Sequence, residues 1–272
     1  PFLKGAFLSF CKFKLTSQWK WVGFDNYVKA FSDNSFVHAF WYTALFAFVS
    51  VLFINVLAFT VAYFLTKGIK GSNLFRTVFF MPNLIGGIVL GYIWQILLNC
   101  ILSLMGKPLL TLDSTSGYWG LIILMCWQQI GYMMIIYIAG LQAVPEDMLE
   151  AARIDGADNM KILFQLVLPL SMPILAVMVL YYGVAHWNSY FSALVYIRDT
   201  DRYPLQLVMR NFFSGQDYVE QGAGGDDATQ MLLLNETMKY ALIVIASVPM
   251  LILYPLLQRF FVKGVMLGAI KG

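Results

Sequence analysis

A cluster of aromatic and amide side chains in the last third of the chain could bind a sugar. Sugars are held by polar side chains that match their hydroxyl groups and by flat aromatic rings that cover their apolar faces. One apolar run offers both kinds, in the residues Tyr182, His186, Trp187, Asn188 and Tyr190. A weaker group in an earlier run consists of Gln128, Gln129 and Tyr132. Polar residues in apolar runs also hydrogen-bond neighbouring helices, so both the sugar-pathway and the interhelical use stay open.

The sequence has no visible apparatus for making or breaking bonds. The two histidines, His38 and His186, are 148 residues apart, and no Cys-x-x-Cys or Ser/His/Asp set stands out. No stretch matches G-x-x-x-x-G-K-[ST], the phosphate-binding loop of many ATPases. The chain is therefore predicted not to be an enzyme, and to bind no metal and no cofactor of its own.

Composition places the chain in a membrane. Of its 272 residues, 60% are hydrophobic and only 12% are charged, whereas soluble chains carry about 25% charged residues. The surface must therefore face lipid as well as water. A nucleic-acid partner is not expected, because the formal net charge is only +3 and the basic residues are scattered. A membrane-embedded enzyme would need acidic residues or paired histidines inside its spans, and these runs have none.

The apolar runs predict an all-α integral membrane protein with about six transmembrane helices. A crossing helix needs about 20 apolar residues. Five complete spans are predicted, at 38–65, 77–105, 117–144, 172–197 and 240–258. Residues 1–10 resemble the end of a further, partial span. Lys and Arg are shared evenly between the two sides, so charge does not orient the protein.

The polar segment 145–171 predicts two short helices separated by a glycine. Pro145 suits a first helical position, and Gly156 can end the first helix in the left-handed conformation. Ala151 and Ala152 give this helix a low profile, which lets another surface approach its backbone. Pro169 is predicted to stop the second helix just before the next span.

This segment resembles the EAA loop of permease subunits of ATP-binding-cassette (ABC) importers. That motif has the form EAA, x3, G, x9, I/L-x-L-P, and the chain has Glu150-Ala151-Ala152, then Gly156, then Leu166-Val167-Leu168-Pro169. The resemblance implies the type I ABC importer permease fold, with 145–171 as a cytoplasmic helix-turn-helix loop. Its first helix would sit in a groove of the ATPase. The implied ATPase-coupling residues are Glu150, Ala151, Ala152, Gly156, Leu166 and Pro169.

The whole chain resembles the carbohydrate-uptake branch of this family, the binding-protein-dependent permeases similar to those of the maltose and glycerol-3-phosphate importers. This implies one permease domain, residues 1–272, in the bacterial cytoplasmic membrane, with an external loop at 198–239. The implied partners are a second permease subunit, two ABC ATPase subunits that carry ATP and Mg, and an extracytoplasmic solute-binding protein. The implied substrate is a sugar or oligosaccharide, which the chain would pass through its translocation pathway.

The two halves of the chain resemble different subunits. Residues 22–172 are similar to the first permease subunit of complex-sugar importers, and residues 172–272 are similar to the second. The character changes near the stretch LVLPLSMP at 166–173, which predicts a hybrid origin. Two alternatives to a sugar permease stay open: a non-functional hybrid, and a permease for a non-carbohydrate solute.

Overall fold

The computed structural model of the protein describes residues 2–13, 19–110, 112–189, 203–214 and 226–269. Most of them lie in helices, as the apolar runs predict. The helices are α1 (Phe2–Leu8), α2 (Asp25–Ser32), α3 (Asn34–Thr66), α4 (Ser72–Phe80), α5 (Gly87–Leu104), α6 (Ser114–Gln142), α7 (Glu146–Ile154), α8 (Asn159–Ile162), α9 (Leu168–Trp187), α10 (Leu205–Ser214) and α11 (Asp226–Ala269). Two short strands, β1 (Cys11–Phe13) and β2 (Trp19–Trp21), pair antiparallel.

Four helical stretches are long and apolar enough to cross a membrane. They are α3, the stretch Thr115–Gln142 of α6, the stretch Asn159–Trp187 that ends with α9, and the stretch Met238–Phe260 of α11. A fifth crossing is counted if the bent pair α4 and α5 forms one span. The described part of the chain therefore has up to five crossings. Helix α1, with seven residues, lies where the partial span at 1–10 is predicted, and that span stays a prediction.

Helices α3 and α6 pack along each other at the centre of the larger hydrophobic core. Each is opened by an aspartate, Asp33 for α3 and Asp113 for α6, whose carboxylate accepts hydrogen bonds from two backbone amides of the first turn. These caps satisfy amides that the start of a helix otherwise leaves without a partner. The apolar lengths of both helices then pack without a break.

The predicted span 77–105 is not one helix. A 3-10 turn over Met81–Leu84 follows α4, and the axes of the two helical pieces differ by 105°. Ile85 and Gly86 both have extended backbone angles, with ψ of 132° at each. Pro82 lies in the 3-10 turn and has no amide hydrogen to donate. The span at 77–105 stays a prediction, and within it the run of uncharged residues contains a helix break.

Pro169 does not stop the second helix of the polar segment, which corrects the prediction. Helix α8, a π turn over Leu163–Val167 and α9 follow one another directly, and the stretch Asn159–Trp187 is one candidate span. Pro169 falls in the first turn of α9, just after the wider π turn. A π turn changes the hydrogen-bond register, so the missing amide of proline is accommodated without ending the helix.

A second, smaller core joins α9, α10 and α11. Trp187 of α9 is buried there with Leu205 of α10 and with Leu242 and Ile245 of α11. The side chain of Thr43 on α3 accepts a hydrogen bond of 2.8 Å from the backbone amide of Leu205. This bond ties α10 to α3, while the ring of Trp187 contacts Phe40 of α3 edge-on and so places the end of α9 between α3 and α11.

Candidate functional site

Helix α7 and the turn after it form a well-defined structural unit. Gly156 has φ of +74°, in the left-handed region that glycine adopts without strain. The amide of Gly156 donates to the carbonyl of Arg153, and the amide of Ala157 donates to the carbonyl of Ala152. These two bonds form a Schellman motif, which satisfies the last carbonyls of the helix. The predicted helix stop at Gly156 is present, while Pro145 lies one position before the helix.

The two faces of α7 differ in their surroundings. Leu149 and Ala152, with Ala157 beyond the turn, pack against the larger hydrophobic core. The opposite face is exposed, and Ile154 keeps 79% of its surface accessible. An open depression of about 500 Å³ on this face is lined by Glu146, Glu150, Arg153 and Ile154. The helix therefore rests on the bundle by small side chains and presents charged and apolar groups outward.

The six residues assigned to ATPase coupling do not share one surface. Glu150 and Ala151 are exposed on α7, and Ala152 is half-buried beneath it. Leu166 is half-buried in the π turn and packs against the core. Pro169 is exposed in the first turn of α9. The motif residues therefore lie partly on the exposed face of α7 and partly at the start of a spanning helix.

A polar and aromatic contact inside the bundle joins part of the predicted pathway cluster. The Nε2 atom of His186 on α9 lies 3.1 Å from Oε1 of Gln129 on α6. The His186 ring stacks on Tyr182, with centroids 6.0 Å apart, and meets the edge of Phe46 on α3. His186 and Tyr182 are both buried. Three helices thus meet around one histidine.

The other members of the cluster point elsewhere. Trp187 is buried in the smaller core, where its ring nitrogen donates to the carbonyl of Ala246 at 2.8 Å. Asn188 is exposed and accepts a hydrogen bond from Gln206 of α10. Tyr190 lies outside the described residues. On α6, Gln128 is half-buried and Tyr132 keeps 40% of its surface accessible.

A buried polar pair near this site is not apparent from the sequence. The hydroxyl of Tyr137 on α6 donates to Oδ1 of Asn55 on α3, and the Asn55 amide group donates to the carbonyl of Val51. Asn55 stands out as an amide inside a span. Its partner is 82 residues away, and no local pattern marks it.

Replacing Tyr137 with phenylalanine should lower the thermal stability of the protein, because Oδ1 of Asn55 is left buried without a donor. The expected loss is about 1 kcal/mol, in the range measured for hydrogen bonds between membrane helices. Thermal unfolding of the purified protein in detergent measures it. The control is Tyr254→Phe, since Tyr254 is 52% exposed. Equal stability of the two variants would show that the pair contributes nothing.

Comparison with known families gives a match over most of the chain. A model of the family described as binding-protein-dependent transport system inner membrane components matches residues 54–267. This range begins within α3 and includes α6, α7, α9 and nearly all of α11. It therefore contains both the α7 unit and the contact around His186.

Two curated proteins and one solved structure are similar to this chain. The probable starch degradation products transport system permease protein AmyD of Thermoanaerobacterium thermosulfurigenes is 35% identical over 182 residues, which cover 64% of this chain and 62% of that relative. Protein LplC of Bacillus subtilis is 33% identical over 250 residues, covering 91% of this chain and 79% of LplC. A bacterial ABC transporter involved in the import of alginate superposes with a TM-score of 0.70 at 18% identity, covering 94% of this chain and 88% of that one. That structural likeness shows the fold.

Proposed function

This chain belongs to the family of binding-protein-dependent transport system inner membrane components, and we propose that it forms the translocation pathway of a sugar or oligosaccharide importer. Membership and the candidate spans make it a multi-pass membrane protein and a component of a transport system. The starch-product permease and the alginate importer both act on carbohydrates by their names, which supports the proposed substrate class. The proposed complex contains a second permease subunit and a solute-binding protein outside the cell.

The observation that carries the proposal is the exposed face of α7. Helix α7 has no buried residue, and Leu149 and Ala152 pack against the core from partly buried positions, so the helix can move without disrupting the core. Its outward residues combine charge with the exposed apolar side chain of Ile154, a composition suited to a protein partner. We assign this face to an ATPase subunit, two of which would bind ATP and Mg. Hydrolysis would then take place on the partner chains.

Motion of α7 has a direct route to the candidate pathway. The turn at Gly156 leads into the helix that runs from Asn159 through the π turn to Trp187. His186 stands 27 residues from the start of that helix, about 40 Å away at 1.5 Å per residue. Closure of the ATPases would shift this helix and thereby alter the contact of His186 with Gln129. We propose this rearrangement as the step that switches access from one side of the membrane to the other.

The proposed pathway lies on the α6 and α9 side of the bundle. Gln128, Gln129 and Tyr132 on α6 would bind sugar hydroxyls and a sugar face, with Tyr182 and His186 behind them. The contact of Trp187 with Ala246 supports a packing role for the tryptophan instead. Asn188 stands at the end of α9 and would contact solute at the entrance.

Replacing the exposed Tyr132 with alanine should slow solute uptake about 10-fold, because a stacked aromatic ring contributes on the order of 1 kcal/mol or more to binding. Uptake of radiolabelled starch oligosaccharides into proteoliposomes that contain the whole complex measures the effect. The control is Ile135→Ala, one turn further along α6 and also 40% exposed. Equal uptake by the two variants would remove Tyr132 from the pathway.

Replacing Ile154 with aspartate should release the ATPase subunit while the chain stays folded. Ile154 is 79% exposed, so its loss removes no internal packing, whereas truncating an interface anchor weakens binding by about 2 kcal/mol, or 30-fold. The measurement is affinity purification of the tagged full-length protein from its native membrane in mild detergent, followed by mass spectrometry.

The conservative variant Ile154→Leu should retain the ATPase, and both variants should retain the second permease subunit. Undiminished recovery of the ATPase with Ile154→Asp would place the contact elsewhere. Recovery of the unaltered chain with no ATPase and no second permease would overturn the proposed function.

A further inference from the structure

The first part of the chain forms a compact unit at the start of α3. This N-terminal unit comprises α1, the strands β1 and β2, and α2, within residues 2–13 and 19–32. Asn26 of α2 is buried at its centre, and its amide donates to the carbonyls of Ser9 at 2.8 Å and Cys11 at 3.0 Å. The hydroxyl groups of Ser9 and Tyr27 are 2.6 Å apart. These bonds fix the strands and both helices as one body.

Large apolar side chains of this unit are exposed along one side. Trp19 and Trp21 of β2 keep 55% and 54% of their surface accessible. On and just before α2, Phe24, Val28 and Phe31 are 69%, 61% and 52% exposed. Their spacing of four and three residues places them in one stripe of the helix. A contiguous exposed apolar surface marks a site of contact with protein or membrane.

The remaining faces of α2 show which side contacts water and which side packs against the protein. Asp25, Lys29 and Ser32 form an exposed polar stripe beside the apolar one, and Lys29 pairs with Asp25 at 2.6 Å. Asn26 and Ala30 face the protein. Helix α2 therefore meets three surroundings at once: protein, water and an apolar medium. A helix lying in a membrane interface has this arrangement.

Two lysines face each other across the strands. Lys12 and Lys20 are direct partners in the antiparallel pair, and both are exposed. Like charges directly opposite each other destabilise a strand pair. Among the residues that the structure describes, the ion pair of this unit is that of Lys29 with Asp25, and no carboxylate is paired with Lys12 or Lys20. An anion between them would relieve the repulsion.

The position of the unit next to a spanning helix points to lipid headgroups as the source of this anion. Helix α2 ends at Ser32 and α3 begins at Asn34, so the unit lies directly before the first turn of a spanning helix. Helix α3 has 33 residues, about 50 Å in length, and exceeds the roughly 30 Å hydrocarbon core. At least one of its ends therefore extends into the headgroup layer, where tryptophan is enriched and lysine meets anionic headgroups. If the bent pair is one crossing, the start of α3 is on the side opposite α7.

We propose that the N-terminal unit lies in the headgroup layer of the membrane, with its apolar stripe in lipid and with Lys12 and Lys20 binding the phosphate of an anionic lipid. This interaction goes beyond solute transport and does not depend on which solute is carried. The lipid would hold the unit and thereby fix the start of α3, which packs against α6.

The depth of the unit is tested with nitroxide labels on the full chain in vesicles of phosphatidylcholine and phosphatidylglycerol. Val28→Cys reports on the apolar stripe and Ser32→Cys on the polar stripe, in a Cys100→Ser background because Cys11 and Cys126 are buried. The label at position 28 should be relaxed by oxygen, and the label at position 32 by a water-soluble nickel complex. If nickel relaxes both labels equally, the proposal is overturned.

The lipid contact is tested by native mass spectrometry of the full chain after detergent washing. Removing each lysine charge should weaken retention of phosphatidylglycerol about fivefold, hence about 25-fold for Lys12→Gln with Lys20→Gln. The matched control is Lys29→Gln, because Lys29 already has Asp25 as a partner. Unchanged retention in the double variant, or equal retention of phosphatidylcholine and phosphatidylglycerol by the unaltered chain, overturns the lipid site.

Discussion

Replacing Gly131 with alanine should destabilise the protein by about 3 kcal/mol or more, at the upper end of the cost of overpacking a core. A Cβ atom at this position would overlap the carbonyl oxygen of Phe79 and would lie 2.8 Å from Cα of Phe80. These are backbone atoms of α4, so no side-chain rotation can relieve the clash. Helices α4 and α6 would have to separate. Heating the purified protein in detergent and following its size-exclusion profile by fluorescence measures the loss.

Two other glycine positions serve as controls for the Gly131 variant. A Cβ atom at Gly87 would meet no heavy atom within 4 Å, and one at Gly140 would meet the Cδ1 end of the Ile174 side chain at 2.9 Å. Gly87→Ala should leave the thermal midpoint unchanged. Gly140→Ala should lower it less than Gly131→Ala, because a Cβ atom there meets side-chain atoms of Ile174, Cδ1 at 2.9 Å and Cγ2 at 3.1 Å, rather than backbone. If Gly131→Ala and Gly87→Ala have the same thermal midpoint, helices α4 and α6 do not approach each other closely at Gly131.

The importance of Gly131 could not be predicted from the sequence. Glycine is common in membrane helices wherever they approach closely, and the chain has 21 glycines. Which of them meets a neighbouring backbone depends on the crossing of α4 over α6, which brings residues far apart in the sequence together. The apolar run 77–105 predicts enough length for a span. The run does not predict the directions of the two helical pieces into which it folds.

The all-α membrane fold was predictable because its signal is strong and local. Long apolar runs such as 38–65 must form helices in lipid, where every backbone group needs a partner within the segment. The expectation for Pro169 failed because membrane helices accommodate proline, as Pro173 within α9 and Pro249 and Pro255 within α11 also show. The π turn over Leu163–Val167 changes the hydrogen-bond register, and nothing in the residue types announces it.

The candidate pathway was predicted as one cluster, and the helix geometry divides it. Successive residues of an α-helix are turned by about 100°. Tyr182 and His186, four apart, share a face and stack, whereas Trp187 is turned towards Ala246 of α11. Helical periodicity would have separated these residues. The contact of His186 with Gln129 spans 57 residues, so only the folded chain reveals it.

The predicted hybrid origin stays a prediction. The similarity to LplC covers 91% of this chain, so it runs through the stretch at 166–173 where the change of character was placed. One relative is thus similar to both halves. Because that stretch is the π turn and the first turns of α9, any junction there would lie inside a continuous helix. Both halves would then have to agree in the packing of α9 on α3 and α11.

Replacing Gly156 with proline should reduce the stimulation of ATP hydrolysis by solute and binding protein at least 10-fold, while the chain stays in the membrane. Proline fixes φ near −65°, whereas Gly156 has φ of +74°. It also removes the amide that donates to Arg153 and forces Asp155 out of its present backbone angles, φ −69° and ψ 4°. The turn between α7 and α8 must then change its course. The hydrolysis rate of the reconstituted complex, with and without loaded binding protein, measures the effect.

The matched control separates the turn geometry from the loss of glycine itself. Gly156→Asn keeps the amide, tolerates the left-handed conformation and meets no heavy atom within 4 Å of its Cβ, so stimulation should persist. The thermal midpoints of both variants should match the unaltered chain, because α7 has no fully buried residue. A proline variant with normal stimulation would exclude α7 from coupling. If the asparagine variant loses stimulation as well, the carboxyl end of α7 contacts the ATPase through the Gly156 backbone itself. Transmission of the motion of α7 to α9 is then not required to explain the loss.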